Sequence, residues 1–116
     1  MEEKIIPCRV IRVVDGDTIV LLSYLGLSLC RIHHLRLKGV NAPEIYGKER
    51  KWGLLVKDHV RQWVKVKQNE KTLFPLKLKT KDTIRGHDKY GRIVGDILDQ
   101  EGNSLSDYVK VIVEGL

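Results

Sequence analysis

The sequence predicts a small, mainly β fold: five short strands, a helix between the third and fourth, and a second helix at the C-terminal end. Three observations predict it. Ile- and Val-rich runs broken by Asp-Gly turns fill the first 37 residues, the apolar period changes from two to 3.6 after Lys48, and short alternating runs return before a last amphipathic stretch. At 116 residues and 42% hydrophobic composition, the chain can bury one modest core, so residues 1–116 read as one domain.

Residues 4–14 are rich in Ile and Val and run into Asp15-Gly16-Asp17, a strand entering a tight turn. Thr18 to Leu22 is the second strand, and Ser23-Tyr24-Leu25-Gly26 offers a turn before a third strand around Arg31 to Leu37. Short connections make these three an antiparallel meander. Beyond Lys48, Trp52, Leu55, Val56, His59, Val60, Trp63 and Val64 fall on one helical stripe, with Lys51, Lys57, Asp58, Arg61 and Lys65 on the other side. His59 sits on the apolar stripe with no motif-linked nucleophile or acid, so it reads as a packing residue.

Thr72 to Thr80 alternates and reads as the fourth strand, with Pro75 implying an edge or a bulge. Lys81 to Gly91 is a polar loop, Arg92 to Leu98 the fifth strand, and Asp99 to Asn103 a turn. The last element, Leu105 to Val113, places Leu105, Val109 and Ile112 on one face, and Ser104 with Asp107 resembles a capping box. This order is that of an OB-type Greek-key barrel, a fold that often presents nucleic-acid-binding loops.

Twenty-one Lys and Arg against fifteen Asp and Glu give a net charge of +6, which points to a polyanionic partner or to a solvated basic surface. Lys77, Lys79, Lys81, Arg85, Lys89 and Arg92 form a basic segment, with Tyr90 inside it, that could follow a phosphate backbone. No apolar run is long enough to span a membrane, and no secretory signal opens the chain, so it reads as a cytoplasmic monomer or as a mature domain whose leader has been removed. Cys8 and Cys30 read as reduced thiols. A zinc site at Cys30, His33 and His34 is disfavoured, because adjacent residues of an extended segment face opposite ways.

Three polar strings carry the chemistry: Asp15-Gly16-Asp17-Thr18, Arg36-Leu37-Lys38-Gly39-Val40-Asn41-Ala42-Pro43-Glu44 and Asp88-Lys89-Tyr90-Gly91-Arg92. Taken alone, the first is an ordinary hairpin turn, Arg36 and Glu44 a surface ion pair, and Arg92 a basic strand end. Together they supply oxygen donors for a hard dication (Asp17, Asn41), a carboxylate that can activate water (Glu44), and two guanidiniums that can grip phosphate (Arg36, Arg92). That set suits hydrolysis of a phosphodiester.

These strings, with Val113-Glu114-Gly115-Leu116 and the order of elements, resemble the staphylococcal nuclease (thermonuclease) family across nearly the whole chain. The resemblance implies a five-stranded OB barrel and Ca²⁺-dependent hydrolysis of DNA and RNA with release of the 5′ oxygen. It implies that Glu44 is the general base, that Arg36 and Arg92 bind phosphate, and that Asp17, Asn41 and the backbone carbonyl of Ala42 hold calcium. Asn41 stands where many members carry Asp, so the expected calcium site is weaker, the amide oxygen bringing no charge. The tyrosines that stack on the base in the family's secreted enzyme have no counterpart in this sequence. The expected function is a weakly sequence-selective nuclease acting on DNA or RNA. The alternative is a noncatalytic barrel of the same ancestry that binds nucleic acid or a protein.

Overall fold

The computed structural model describes residues 3–81 and 92–116. The strands are β1 (Glu3–Asp15), β2 (Thr18–Gly26), β3 (Leu29–Leu37), β4 (Leu76–Lys81) and β5 (Ile93–Leu98), with helices α1 (Arg50–Lys67) and α2 (Leu105–Glu114). The strands close into a barrel in the order β1-β2-β3-β5-β4, the OB-like architecture the element order predicts. All ladders are antiparallel except β3 with β5, which run parallel. No helix among the described residues is long and apolar enough to cross a membrane.

Closure depends on β1, which is long enough to serve two neighbours. Glu3 to Cys8 pair with β4, and Cys8 to Asp15 pair with β2. Register shifts between Val10 and Arg12 and between Val13 and Asp15 mark bulges where the strand bends. The first bulge is fastened from outside: Gln68, just past the end of α1, donates to the Val10 carbonyl through Nε2 and accepts from the Val10 N–H through Oε1.

Inward positions follow the strand period. Ile19, Leu21, Leu35, Leu37, Leu76, Leu78, Ile93 and Ile97 are buried, joined by Val56, Val60, Trp63 and Val64 of α1 and Leu105 and Val109 of α2. Ser104 caps α2 as expected, its Oγ accepting from the Asp107 N–H at 3.1 Å.

The structure corrects the sequence reading in three places. β2 continues to Gly26, so the turn to β3 is Leu27-Ser28 rather than Ser23 to Gly26. Leu27 and Ser28 have φ of 52° and 65°, the mirror-turn conformation, and neither residue type signals it. β4 starts at Leu76 rather than Thr72, with Pro75 immediately before it, where its missing N–H breaks no ladder. On α1, Trp52 and Leu55 are exposed and Gly53 is buried instead, so the first turns present a different face to the barrel than the apolar pattern suggests. His59 is half-buried on that helix.

The Leu27-Ser28 turn gives a direct test. A left-handed conformation costs an ordinary residue about 1–2 kcal/mol, and Leu27 is 94% exposed, so it contributes no core packing. Leu27→Asn with Ser28→Gly is expected to raise stability by about 1 kcal/mol, read as a higher urea midpoint. An unchanged midpoint would mean the turn carries no such strain.

Candidate active site

Asp17 is the hub of the site. The turn between β1 and β2 is two residues, Gly16 and Asp17, and the Asp17 N–H donates to Asp15 Oδ1 at 3.1 Å, the local bond that favours Asp in turns. The register then sets Thr18 opposite Arg36. Asp17 Oδ2 accepts from Arg36 Nη1 at 3.1 Å and from the Ala42 N–H at 3.0 Å, while Oδ1 accepts from Thr18 Oγ1 at 3.1 Å. Arg92 Nη1 donates to the same Thr18 Oγ1 at 3.2 Å. One nearly buried carboxylate thus links the first two strings directly, and through Thr18 it reaches the third.

Two glycines let α1 press on these loops. A Cβ on Gly16 would lie 2.5 Å from Val56 Cγ1 and 2.8 Å from the Ala42 Cβ. A Cβ on Gly53 would lie 2.1 Å from the Glu44 carbonyl oxygen, an impossible approach. The helix backbone therefore seats directly against Glu44, and Val56 against the Asp15 to Asp17 turn.

Glu44 and Asn41 are exposed and make no side-chain hydrogen bond or ion pair with any described residue. Both line a cavity of about 540 Å³ together with Pro43, Glu49, Trp52 and Leu116. Trp52, read from sequence as a core residue, is instead part of this wall. The surface ion pair between Arg36 and Glu44 does not form; Arg36 pairs with Asp17.

Sequence reasoning also missed Asp15 and Thr18 as participants, although their adjacency to Asp17 was the available signal. Burial first, and then the neighbouring Asp17 carboxyl, push the Asp15 carboxyl up to about 6. Two carboxyls crowded at the end of β1 are a place where added positive charge would be stabilising. Among the described residues no group of three or more His, Cys, Asp or Glu forms a metal cluster. The donors at hand are oxygen only: the Asp15 and Asp17 carboxylates, the Asn41 amide and the loop carbonyls. Oxygen donors of this kind are those a hard dication takes, and the Arg36 ion pair on Asp17 would compete with it.

Of the basic segment, Lys77, Lys79 and Lys81 lie on β4, alternating with the inward Leu76, Leu78 and Thr80. Lys79 pairs with Glu3 at 3.7 Å. Arg85, Lys89 and Tyr90 lie outside the described residues. Comparison with known protein families finds none that matches the chain, and no curated protein matches it.

Proposed function

We propose that this barrel is a metal-assisted nuclease that hydrolyses phosphodiester bonds of DNA or RNA. The observation that carries the reading is the meeting of Arg36, Asp17, Thr18 and Arg92 at one end of the barrel, with the Glu44 carboxylate exposed on the loop that Ala42 anchors to Asp17. Glu44 takes the proton of the attacking water as the new P–O bond forms, and the bond to the 5′ oxygen breaks, that oxygen taking its proton from solvent. Arg36 uses one nitrogen on Asp17 and keeps further N–H donors for a non-bridging phosphate oxygen. Arg92 adds positive charge to the same end of the site through its position on Thr18. Asp17 orients Arg36 and holds the Ala42 loop. Calcium, carried by Asp17, Asn41 and the Ala42 carbonyl, would supply further charge stabilisation when bound.

The second reading, a noncatalytic barrel that binds nucleic acid or a protein, is favoured by one feature. The Asp17 carboxylate is already held by Arg36 and the Ala42 N–H, so its place in the site does not require a dication. Digestion of plasmid and single-stranded DNA separates the two. Cleavage is expected with Ca²⁺ and not with EDTA, and no cleavage under any metal would leave the binding module.

Residue 41 sharpens the test. Asn41→Asp adds a charged oxygen donor and is expected to tighten Ca²⁺ binding in calorimetry and to raise cleavage at limiting calcium. Equal affinities would show that residue 41 does not face the metal.

A further inference from the structure

A second concave surface lies between β1 and α1. It encloses about 620 Å³ and is lined by Arg12 from the first bulge of β1, by Tyr46, and by Lys57, Arg61 and Lys65 of α1. Four cations thus face it and no carboxylate does, and among the described residues no ion pair neutralises any of the four. Lys57, Arg61 and Lys65 repeat every fourth residue, so they form a row with steps of about 6 Å along the helix axis. Tyr46 is 73% exposed, an aromatic face set at the rim of a basic groove.

The groove and the first cavity are lined by neighbouring residues of one loop. Asn41 to Glu44 line the first cavity, and Ile45 and Tyr46, the next two residues, line the groove.

We propose that this groove is a binding track for single-stranded nucleic acid, holding the nucleotides that flank the scissile phosphate. The inference rests on the nuclease reading for its direction, and on charge and shape for its occupant. Lys57, Arg61, Lys65 and Arg12 contact successive phosphates, and Tyr46 stacks on a base. A repeating polyanion with flat bases uses both features, whereas an acidic peptide would use the charge and leave the ring idle. The track differs from the β4 lysines, which lie on another strand of the barrel.

The test uses the full chain and a fluorescent 16-nucleotide oligo-dT in EDTA, so that affinity is measured without cleavage, by anisotropy over a series of salt concentrations. The triple variant Lys57→Gln, Arg61→Gln, Lys65→Gln is expected to bind at least tenfold more weakly than wild type. Its dependence of log affinity on log salt should flatten by about 2, from roughly 0.7 for each lost phosphate contact. Tyr46→Ala should weaken binding about tenfold and leave the salt slope unchanged, a separation of stacking from charge that a general surface effect would not produce. All four side chains are at the surface, and thermal melts check that each variant folds.

Cleavage of a 4-nucleotide oligo-dT with Ca²⁺ is measured alongside. If the triple variant keeps wild-type affinity and slope for the 16-mer, the track is wrong, and cleavage of the 4-mer by wild type would leave the nuclease reading standing. If wild type cleaves neither oligonucleotide but the triple variant loses 16-mer affinity, the track stands and catalysis falls. Tighter binding of poly-glutamate or of anionic lipid vesicles than of oligo-dT through the same three side chains would overturn the nucleic-acid assignment.

Discussion

Arg36→Ala and Glu44→Gln are each expected to lower turnover by at least about 10² to 10³, while leaving the fold close to wild type. The two losses have different origins. Glu44 is exposed, has no described side-chain partner, and belongs to a loop held by its backbone, so Gln removes a proton acceptor and little else. Arg36 also balances Asp17, so its removal both withdraws a donor from the phosphate and leaves a nearly buried carboxylate without its cation. Arg36→Lys separates these effects: an ammonium restores charge near Asp17 but lacks the planar fork that grips two oxygens, so stability should recover further than turnover. Single-turnover cleavage of single-stranded DNA, with urea denaturation of each variant, is the measurement. Near wild-type cleavage by either Arg36→Ala or Glu44→Gln would remove that residue from the chemistry.

The largest expected loss of stability comes from a residue far from that site. Asp99 is fully buried in the turn between β5 and α2. Its Oδ1 accepts from the backbone N–H groups of Glu101 (2.9 Å) and Asn103 (2.8 Å). Its Oδ2 accepts from Asn103 Nδ2 (3.0 Å) and from Lys67 Nζ (2.8 Å), at the end of α1. The carboxylate therefore stitches α1 to the turn that starts α2. Asp99→Ala removes four hydrogen bonds around a fully buried carboxylate, one of them to the Lys67 ammonium, each contributing about 0.5–1.5 kcal/mol net, so a loss of about 2–4 kcal/mol is expected. That is a large fraction of what holds a domain of this size together.

The same group sets an acid limit. Burial on its own would raise the Asp99 carboxyl, but the hydrogen bonds from Lys67 and Asn103 and the two backbone donors outweigh it and hold the group well below the usual carboxylate range. The unfolded chain then binds a proton at a higher pH than the folded one. The contribution of Asp99 is present in full above the ordinary aspartate value and is lost as pH falls below it toward the folded value. Urea midpoints of wild type should fall between pH 5 and pH 3 more steeply than those of Asp99→Asn, which cannot titrate. Parallel curves would mean that Asp99 takes no part in acid unfolding.

What the sequence determined by itself is local and periodic. Alternation in β4 names Leu76 and Leu78 as inward, the order of periods names the barrel, and Ser104 announces the start of α2. Each of these signals lies within a few neighbouring residues, because pleat, helical repeat and cap geometry are properties of short stretches of chain. The three polar strings are local in the same sense, each read from consecutive residues.

Tertiary structure alone decided how they meet. The Asp17 carboxylate contacts the Ala42 N–H across 25 residues, and Thr18 meets Arg92 across 74, separations over which no local pattern predicts a partner. Arg36 chose Asp17 over Glu44 because the β2–β3 register sets Arg36 opposite Thr18, beside the turn. The buried face of α1 turned toward Gly53, which carries no side chain and so no hydrophobic signal, since only there can the helix backbone touch the Glu44 carbonyl. Residue periods fix which side chains point inward; the close approach of backbones from distant parts of the chain fixes which functional groups share a site.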